Sequence, residues 1–175
     1  MLTFRSFPKL KTDRLILRQL QEDDKEEIFF LRSDERVMQY IKRTRLKNLE
    51  EVSDFMFKIN NDTKNNKIFY WAISLKNNPK LIGTICLWNF SKNQKIAEIG
   101  YDLHPKHHGQ GIMNEAMKHI LDFGFNTIGF EVIEAFTHRD NINSIKLLKK
   151  NNFILSINKE DMGNLNNIIF TKTKI

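Results

Sequence analysis

The turn Lys106-His107-His108-Gly109-Gln110-Gly111 lies between two patterned runs. Before it stands Ile96-Ala97-Glu98-Ile99-Gly100-Tyr101-Asp102-Leu103, and after it Ile112-Met113-Asn114-Glu115-Ala116-Met117-Lys118-His119-Ile120-Leu121. A strand that feeds a Gly-x-Gly turn and then a helix leaves backbone N–H groups unpaired at the helix mouth. With the positive end of the helix dipole they form a site for an anion, most often a phosphate. The glycines remove the Cβ atoms that would hold such a ligand off the backbone. The turn is not a P-loop, because no Gly-Lys-Ser/Thr ends it. Nor is it a dinucleotide fingerprint, which needs a third glycine and an acidic residue after the next strand.

Glu98 is the first candidate for proton chemistry. Period-two alternation puts Ile96, Glu98 and Gly100 on one face of a strand and Ala97, Ile99 and Tyr101 on the other. A carboxylate in a mostly apolar strand is costly without a partner or a task. Partial burial raises its pKa, which suits a general base; the competing reading is a structural ion pair or a solvent-facing side chain. Ser144 is a candidate proton donor, and Asn141 stands three residues before it; both residue types also cap helices. His107 and His108 are adjacent in a loop and lack a third ligand, so they predict no metal site. They suit loop shape or a hydrogen bond to a phosphate. Cys86 reads as a small buried residue, since no histidine or helix start is placed to lower its pKa. Trp71, Trp88, Phe90 and Tyr101 sit at strand spacing and serve either a core or a pocket wall.

These residues need a scaffold, and the pattern supplies one. Residues 15–20 read as a strand, and Asp23 or Asp24 caps a helix carrying Ile28, Phe29 and Leu31. A short helical turn is expected over 34–40. Asn48 with Glu51 resembles a capping box for a helix with Val52, Phe55, Met56 and Ile59 on one face. Strands are expected over 68–75 and 81–90, around a turn at 76–80, and over 96–103 after a turn at 91–94. Met113, Ala116, Met117, Ile120 and Leu121 then repeat at helical spacing. Residues 130–137 form a strand, 141–151 a helix with Ile145 and Leu148 inward, and 153–157 and 168–173 a closing hairpin around Met162-Gly163-Asn164. This order predicts an α/β (α+β) mixed sheet with helices on both faces, in one domain over residues 1–175.

The chain has 175 residues, enough to bury a sizeable core, with 41% hydrophobic and 28% charged residues and a net charge of +7. Lysines scatter along the chain, as on a solvated surface; the densest basic run is Lys42-Arg43-Thr44-Arg45-Leu46-Lys47. Aromatic residues do not interleave with a basic stripe, so direct nucleic-acid binding is not expected. No apolar run is long enough for a membrane span. The opening Met1-Leu2-Thr3-Phe4-Arg5-Ser6-Phe7-Pro8 lacks a signal-peptide layout, and the single cysteine allows no internal disulfide. A cytoplasmic protein is expected.

Lys106, Gly109 and Gly111 fall where the acetyl-CoA pyrophosphate loop of the GNAT N-acetyltransferases has Gln or Arg, Gly, and Gly or Ala; lysine at the first place is a departure. Lys11-Thr12-Asp13-Arg14-Leu15-Ile16-Leu17-Arg18 resembles the opening of the RimJ/RimL branch of that family, Glu98-Ile99-Gly100-Tyr101 its Glu-Ile-Gly-Tyr strand, and the 141–153 segment its Asn-x-x-Ser…Lys-x-Gly-Phe segment. The matches stand in family order and span nearly the whole chain. The resemblance implies a GNAT-like acyl-CoA N-acyltransferase fold, a largely antiparallel sheet in which two central parallel strands splay apart around the pantetheine arm. It implies acetyl-CoA as co-substrate, no metal, and an amine acceptor that is either a protein N-terminus (a ribosomal protein) or a small amine such as an amino acid, polyamine or aminoglycoside. It implies donor-binding roles for Tyr101, Leu103, Lys106, His108, Gly109, Gln110, Gly111, Ile112, Met113, Asn141 and Lys150, and catalytic roles for Glu98 as base and Ser144 at the leaving thiolate. Leu148 stands where many members carry a tyrosine acid, so that acid is not expected from this helix. Asn152 replaces the glycine before Phe153, and asparagine tolerates the left-handed conformation there. Dimers are common in the family. A non-catalytic acyl-CoA-binding module is the alternative class; it would keep the glycine turn and dispense with the base.

Overall fold

The structure, a computed structural model, describes residues 6–174; most of the segment read above for a signal peptide lies outside the described residues. Among the described residues, eight strands form one sheet in the order β1 (Leu10–Lys11), β2 (Leu15–Arg18), β3 (Phe69–Leu75), β4 (Asn78–Trp88), β5 (Ile96–Leu103), β6 (Val132–His138), β8 (Asn167–Thr173), β7 (Ile154–Leu155). Every neighbouring pair is antiparallel except β5 with β6.

Helices cover both faces. α4 (Ile112–Asp122) and α5 (Ile142–Lys150) press Ile112, Met117, Ile120 and Leu148 onto Leu17, Trp71, Ile85, Ile99 and Ile133. On the other face α1 (Lys25–Ser33) and α3 (Leu49–Lys64) bring Ile28, Leu31, Val52 and Met56 against Tyr70, Ala72 and Leu81. The short α2 (Glu35–Met38) follows α1 directly, with Asp34 as its cap. Strand alternation sorts the side chains between the two layers, as the period-two pattern demands.

Several boundaries moved, each for a local reason. β4 starts at Asn78, so the turn shrinks to Lys76-Asn77; Pro79 and Lys80 bulge from the ladder between Leu75↔Asn78 and Ser74↔Leu81. A proline has no N–H to give a ladder, and a bulge accommodates it. β4 stops at Trp88 because Asn89 turns to φ +49°. Asp24 does not cap α1 with its side chain: its carboxylate takes Arg18 and the Gln21 N–H instead. Asn48 does cap α3, but Glu51 reaches back to the N–H of Lys47 rather than that of Asn48. α4 runs on into a π-helical turn, Phe123–Ile128, that periodicity did not predict. The strands expected at 15–20 and 153–157 contract to Leu15–Arg18 and Ile154–Leu155.

The feature that positions the site is the length of the parallel ladder. β5 and β6 pair only at Ile96↔Val132, Ala97↔Ile133 and Glu98↔Glu134. Beyond Glu98, β5 stays bonded to β4 as far as Leu103, and β6 stays bonded to β8 as far as His138. The two strands therefore part, each held by its outer neighbour. Their inner backbone groups face a gap, and such groups require partners.

Candidate active site

Beyond the gap, the chain leaves β5 at Leu103 and makes a tight turn at Pro105–His107 before the glycines. His104 Nδ1 accepts from the Lys106 N–H (3.1 Å), His108 Nε2 bonds the Leu103 carbonyl (2.9 Å), and Gln110 Nε2 donates to the Lys106 carbonyl (2.9 Å). The loop is thus tied to itself through side chains, leaving its backbone edge to solvent. Gly109 and Gly111 both take φ +73°, and a Cβ on Gly109 would meet no atom within 4 Å. Glycine is needed there for the backbone conformation, not for want of space. Among the described residues, no backbone or side-chain acceptor takes the N–H of Gly111, Ile112 or Met113. The side chains of Ile112 and Met113 are buried in the core, so what they offer a ligand is the N–H. These open donors at a helix mouth fit a diphosphate. Lys106, in the turn, and Lys150, at the end of α5, are exposed.

Ser144 and Tyr101 meet across the gap. The Tyr101 hydroxyl lies 2.8 Å from Ser144 Oγ, and Thr137 Oγ1 donates to the same Ser144 oxygen at 2.8 Å. Ser144 is buried and is not a helix cap; Asn141 is, its Oδ1 accepting the Ser144 N–H at 3.1 Å. Burial pushes the Tyr101 phenol up to about 12 against the lowering effect of the Ser144 bond, so it stays protonated at any working pH. Leu148 is fully buried core. Asn152 takes φ +61°, the left-handed turn anticipated for it.

Glu98 is half-buried at the last rung of the parallel ladder, on the opposite face of the sheet from Tyr101. Its Oε1 accepts from Asn89 Nδ2 at 2.5 Å, and among the described residues it takes no arginine partner. Burial pushes its carboxyl pKa up; the Asn89 bond opposes this, and the negative charges of Glu134 and Asp161 add to it. Trp88, its cross-strand partner on β4, is exposed, whereas Trp71 is fully buried and Phe90 packs partly against the core. Trp88 is thus the strand tryptophan available to a ligand on this face. A cleft of about 330 Å3 opens near the same point, lined by Tyr40, Lys42, Phe136, Asp161, Asn164 and Asn167 among others. Phe136 stands two residues beyond Glu134 on β6, so the cleft continues Glu98's side of the sheet past the point of parting.

The densest basic run does not form one surface. Arg43 turns inward, donating to Asp102 Oδ2 and to the Leu31 carbonyl at 2.9 Å each, while Thr84 Oγ1 donates to Asp102 Oδ1 at 2.6 Å. Lys42 donates to the Gly163 carbonyl at 3.0 Å, and Arg45 pairs with Glu35. Cys86 is held away from reactivity, burial pushing its thiol up to about 12.

Two groupings thus emerge, one on each face of the sheet: Glu98 with Asn89, and Ser144 with Tyr101 and Thr137. Asn89 and Thr137 were not anticipated. Asn89 carries a signal only in hindsight, as an asparagine ending a strand, a residue type that tolerates φ > 0. Thr137 carried none, because a strand threonine is ordinary.

A sheet parted at one parallel pair, with a glycine turn feeding a helix beside the gap, is the arrangement that the family resemblance implied. The chain belongs to the GNAT acetyltransferases, whose Acetyltransferase (GNAT) domain matches residues 14–154. It is 32% identical over 147 residues to the uncharacterized N-acetyltransferase YoaA of Bacillus subtilis (strain 168), covering 84% of this chain and 83% of YoaA. In fold it is similar to a ribosomal-protein-S5-alanine acetyltransferase from Vibrio fischeri (TM-score 0.81, 21% identity, 95% of this chain and 96% of that one). It is likewise similar to RimL, a ribosomal L7/L12 alpha-N-protein acetyltransferase in complex with coenzyme A (TM-score 0.79, 18% identity, 95% and 97%). The fold expected from the residues and the family resemblance is the fold observed.

Proposed function

We propose that this N-acetyltransferase works as a single domain over residues 1–175 and carries the acetyl group of acetyl-CoA to the free N-terminus of a protein. The open N–H groups of Gly111, Ile112 and Met113, with Gly109 and Gln110, hold the diphosphate, and Lys106, His108 and Lys150 lie at the rims of that site. The pantetheine arm runs along the parted edges of β5 and β6 by Tyr101, Leu103 and Asn141, and a backbone N–H of β5 polarises the thioester carbonyl. The amine attacks that carbonyl directly: the C–N bond forms, the C–S bond breaks, and the amine proton passes to Glu98 through water. The departing thiolate takes a hydrogen bond from Ser144, whose oxygen is already held by Thr137. No helix among the described residues is long and apolar enough to cross a membrane, and the reading places the enzyme in the cytoplasm with its donor.

The observation that carries this reading is the pair of opposed polar groups at the end of the β5–β6 ladder. One is a half-buried carboxylate with a raised pKa, the other a buried hydroxyl chain on the opposite face of the sheet. The protein acceptor is supported by two fold neighbours that carry such a substrate in their names. A small amine is the second reading. It is favoured by the modest size of the cleft and by a fold neighbour, MccE, solved with acetyl-CoA and AMP. Release of free thiol from acetyl-CoA, followed across N-terminal peptides and small amines, decides between them. Turnover confined to peptides supports the first reading and turnover confined to small amines the second. Saturable acetyl-CoA binding without transfer to any amine would make the protein a donor-binding module.

A further inference from the structure

Arg14, on the turn between β1 and β2, reaches the glycine turn from a hundred residues away along the chain, and the contact is built rather than incidental. Glu115, in the first turns of α4, is its anchor. The Glu115 carboxylate accepts from the Arg14 N–H at 2.8 Å and from Arg14 Nε at 2.6 Å, and also from the buried Thr12 hydroxyl. Thr12 Oγ1 in turn accepts the Leu15 N–H at 2.9 Å, which fixes the turn that presents Arg14. So held, Arg14 donates through Nη1 to the Gln110 carbonyl at 3.0 Å. Its Nη2 lies 3.5 Å from where a Cβ on Gly111 would stand and bonds no acceptor among the described residues.

Two consequences follow from elementary electrostatics. A carboxylate one turn into α4 lies close to the anion cradle and, left alone, repels a diphosphate; the arginine neutralises it. The Gln110 carbonyl, the acceptor nearest Gly111 in the loop, is taken up by Nη1, so the loop presents donors to a ligand. The remaining guanidinium edge is half-exposed beside Gly111, and a guanidinium is suited to bonding phosphate oxygens.

We propose that Arg14 is a donor-binding residue. Set by Glu115 and Thr12, it turns the Gln110 carbonyl away from the anion cradle and adds its own free Nη2 to the diphosphate of acetyl-CoA. The proposal rests on the reading of the glycine turn as the donor site. It also makes the β1–β2 turn part of that site.

The test compares acetyl-CoA with S-acetylpantetheine, which keeps the thioester and lacks the diphosphate. Binding of each is measured by titration to wild type, Arg14→Met, Arg14→Lys and Glu115→Gln at low and high salt. Arg14→Met should weaken acetyl-CoA binding about tenfold or more, leave S-acetylpantetheine binding within about twofold, and reduce the weakening caused by salt. Arg14→Lys keeps the charge but cannot bond Glu115 and the Gln110 carbonyl while presenting a further donor edge, so it should fall between wild type and Arg14→Met. Glu115→Gln should loosen Arg14 and produce a smaller loss of the same selectivity. Equal losses for the two donors, or acetyl-CoA binding within twofold of wild type, would overturn the proposal and leave Arg14 as a structural clasp. If Arg14→Met does not fold, Arg14→Lys and Glu115→Gln decide by the same ratio. Failure of wild type itself to bind acetyl-CoA would instead remove the donor-site reading.

Discussion

Glu98→Gln separates the proposed base from the scaffold that holds it. Glutamine keeps the volume and keeps an oxygen for Asn89 Nδ2, the hydrogen bond that fixes Glu98. It also removes a charge that Glu134 and Asp161 repel. Stability should therefore change by less than about 1 kcal/mol, the net scale of one such hydrogen bond. Turnover should fall by about 10²–10⁴-fold, the usual contribution of a general base, which is roughly 3–5 kcal/mol of barrier at 1.36 kcal/mol per tenfold. The pH profile carries the sharper information. Only the ionised carboxylate accepts a proton, so the rate rises with pH through the Glu98 pKa and levels above it. Because burial and the neighbouring carboxylates raise that pKa, the acid limb should lie at higher pH than for an ordinary glutamate. The limb should vanish in Glu98→Gln. In Asn89→Ala it should move to still higher pH, since the bond that favours the ionised form is gone. The assay is thiol release from saturating acetyl-CoA, with whichever amine of the panel is turned over. An acid limb unchanged in Glu98→Gln, with turnover within tenfold of wild type, would falsify the assignment of Glu98 as base.

Other outcomes follow from the same geometry. Ser144→Ala and Thr137→Val should both lower turnover, with Thr137→Ser restoring most of it, because the hydroxyl and not the methyl holds Ser144; single-turnover rates of equal size in all three would remove this chain from the mechanism. Arg43→Met leaves the buried Asp102 carboxylate with Thr84 as its one side-chain hydrogen-bond donor among the described residues and should cost about 3 kcal/mol in urea unfolding, near the low end for a broken buried pair. Adding Asp102→Asn should recover more than half of that loss. Burial raises the Glu115 pKa, but the bonds from Thr12 and Arg14 outweigh it and hold it below its ordinary value of 4.5. A lowered folded pKa contributes stability that is present above the unfolded value and lost as pH falls through the folded one. Acid unfolding below about pH 4.5 should accordingly be steeper for wild type than for Glu115→Gln, and parallel curves would discount the pair.

What the sequence determined by itself is what local periodicity and residue chemistry can encode. The glycine turn between a strand and a helix was legible because φ > 0 and open N–H groups demand glycine wherever the chain stands. The helix faces and strand alternation were legible because each element repeats its own backbone period. The alternation also put Glu98 and Tyr101 on opposite faces of β5, as found. Tertiary structure decided the rest, because each remaining feature depends on a partner distant along the chain. Whether β5 and β6 pair for three rungs or along their whole length is set by where their outer neighbours hold them, and no residue in either strand announces the parting. Ser144 looked like a cap until Tyr101 and Thr137 were brought to its oxygen. Arg43 sits in a run of surface-like basic residues yet is drawn inside by Asp102, fifty-nine positions away. Arg14 reaches the glycine turn only because β2 and α4 pack against each other. Hydrogen bonds and ion pairs reward proximity in space, and proximity is fixed by the order of strands in the sheet and the helices packed on it rather than by the spacing of letters.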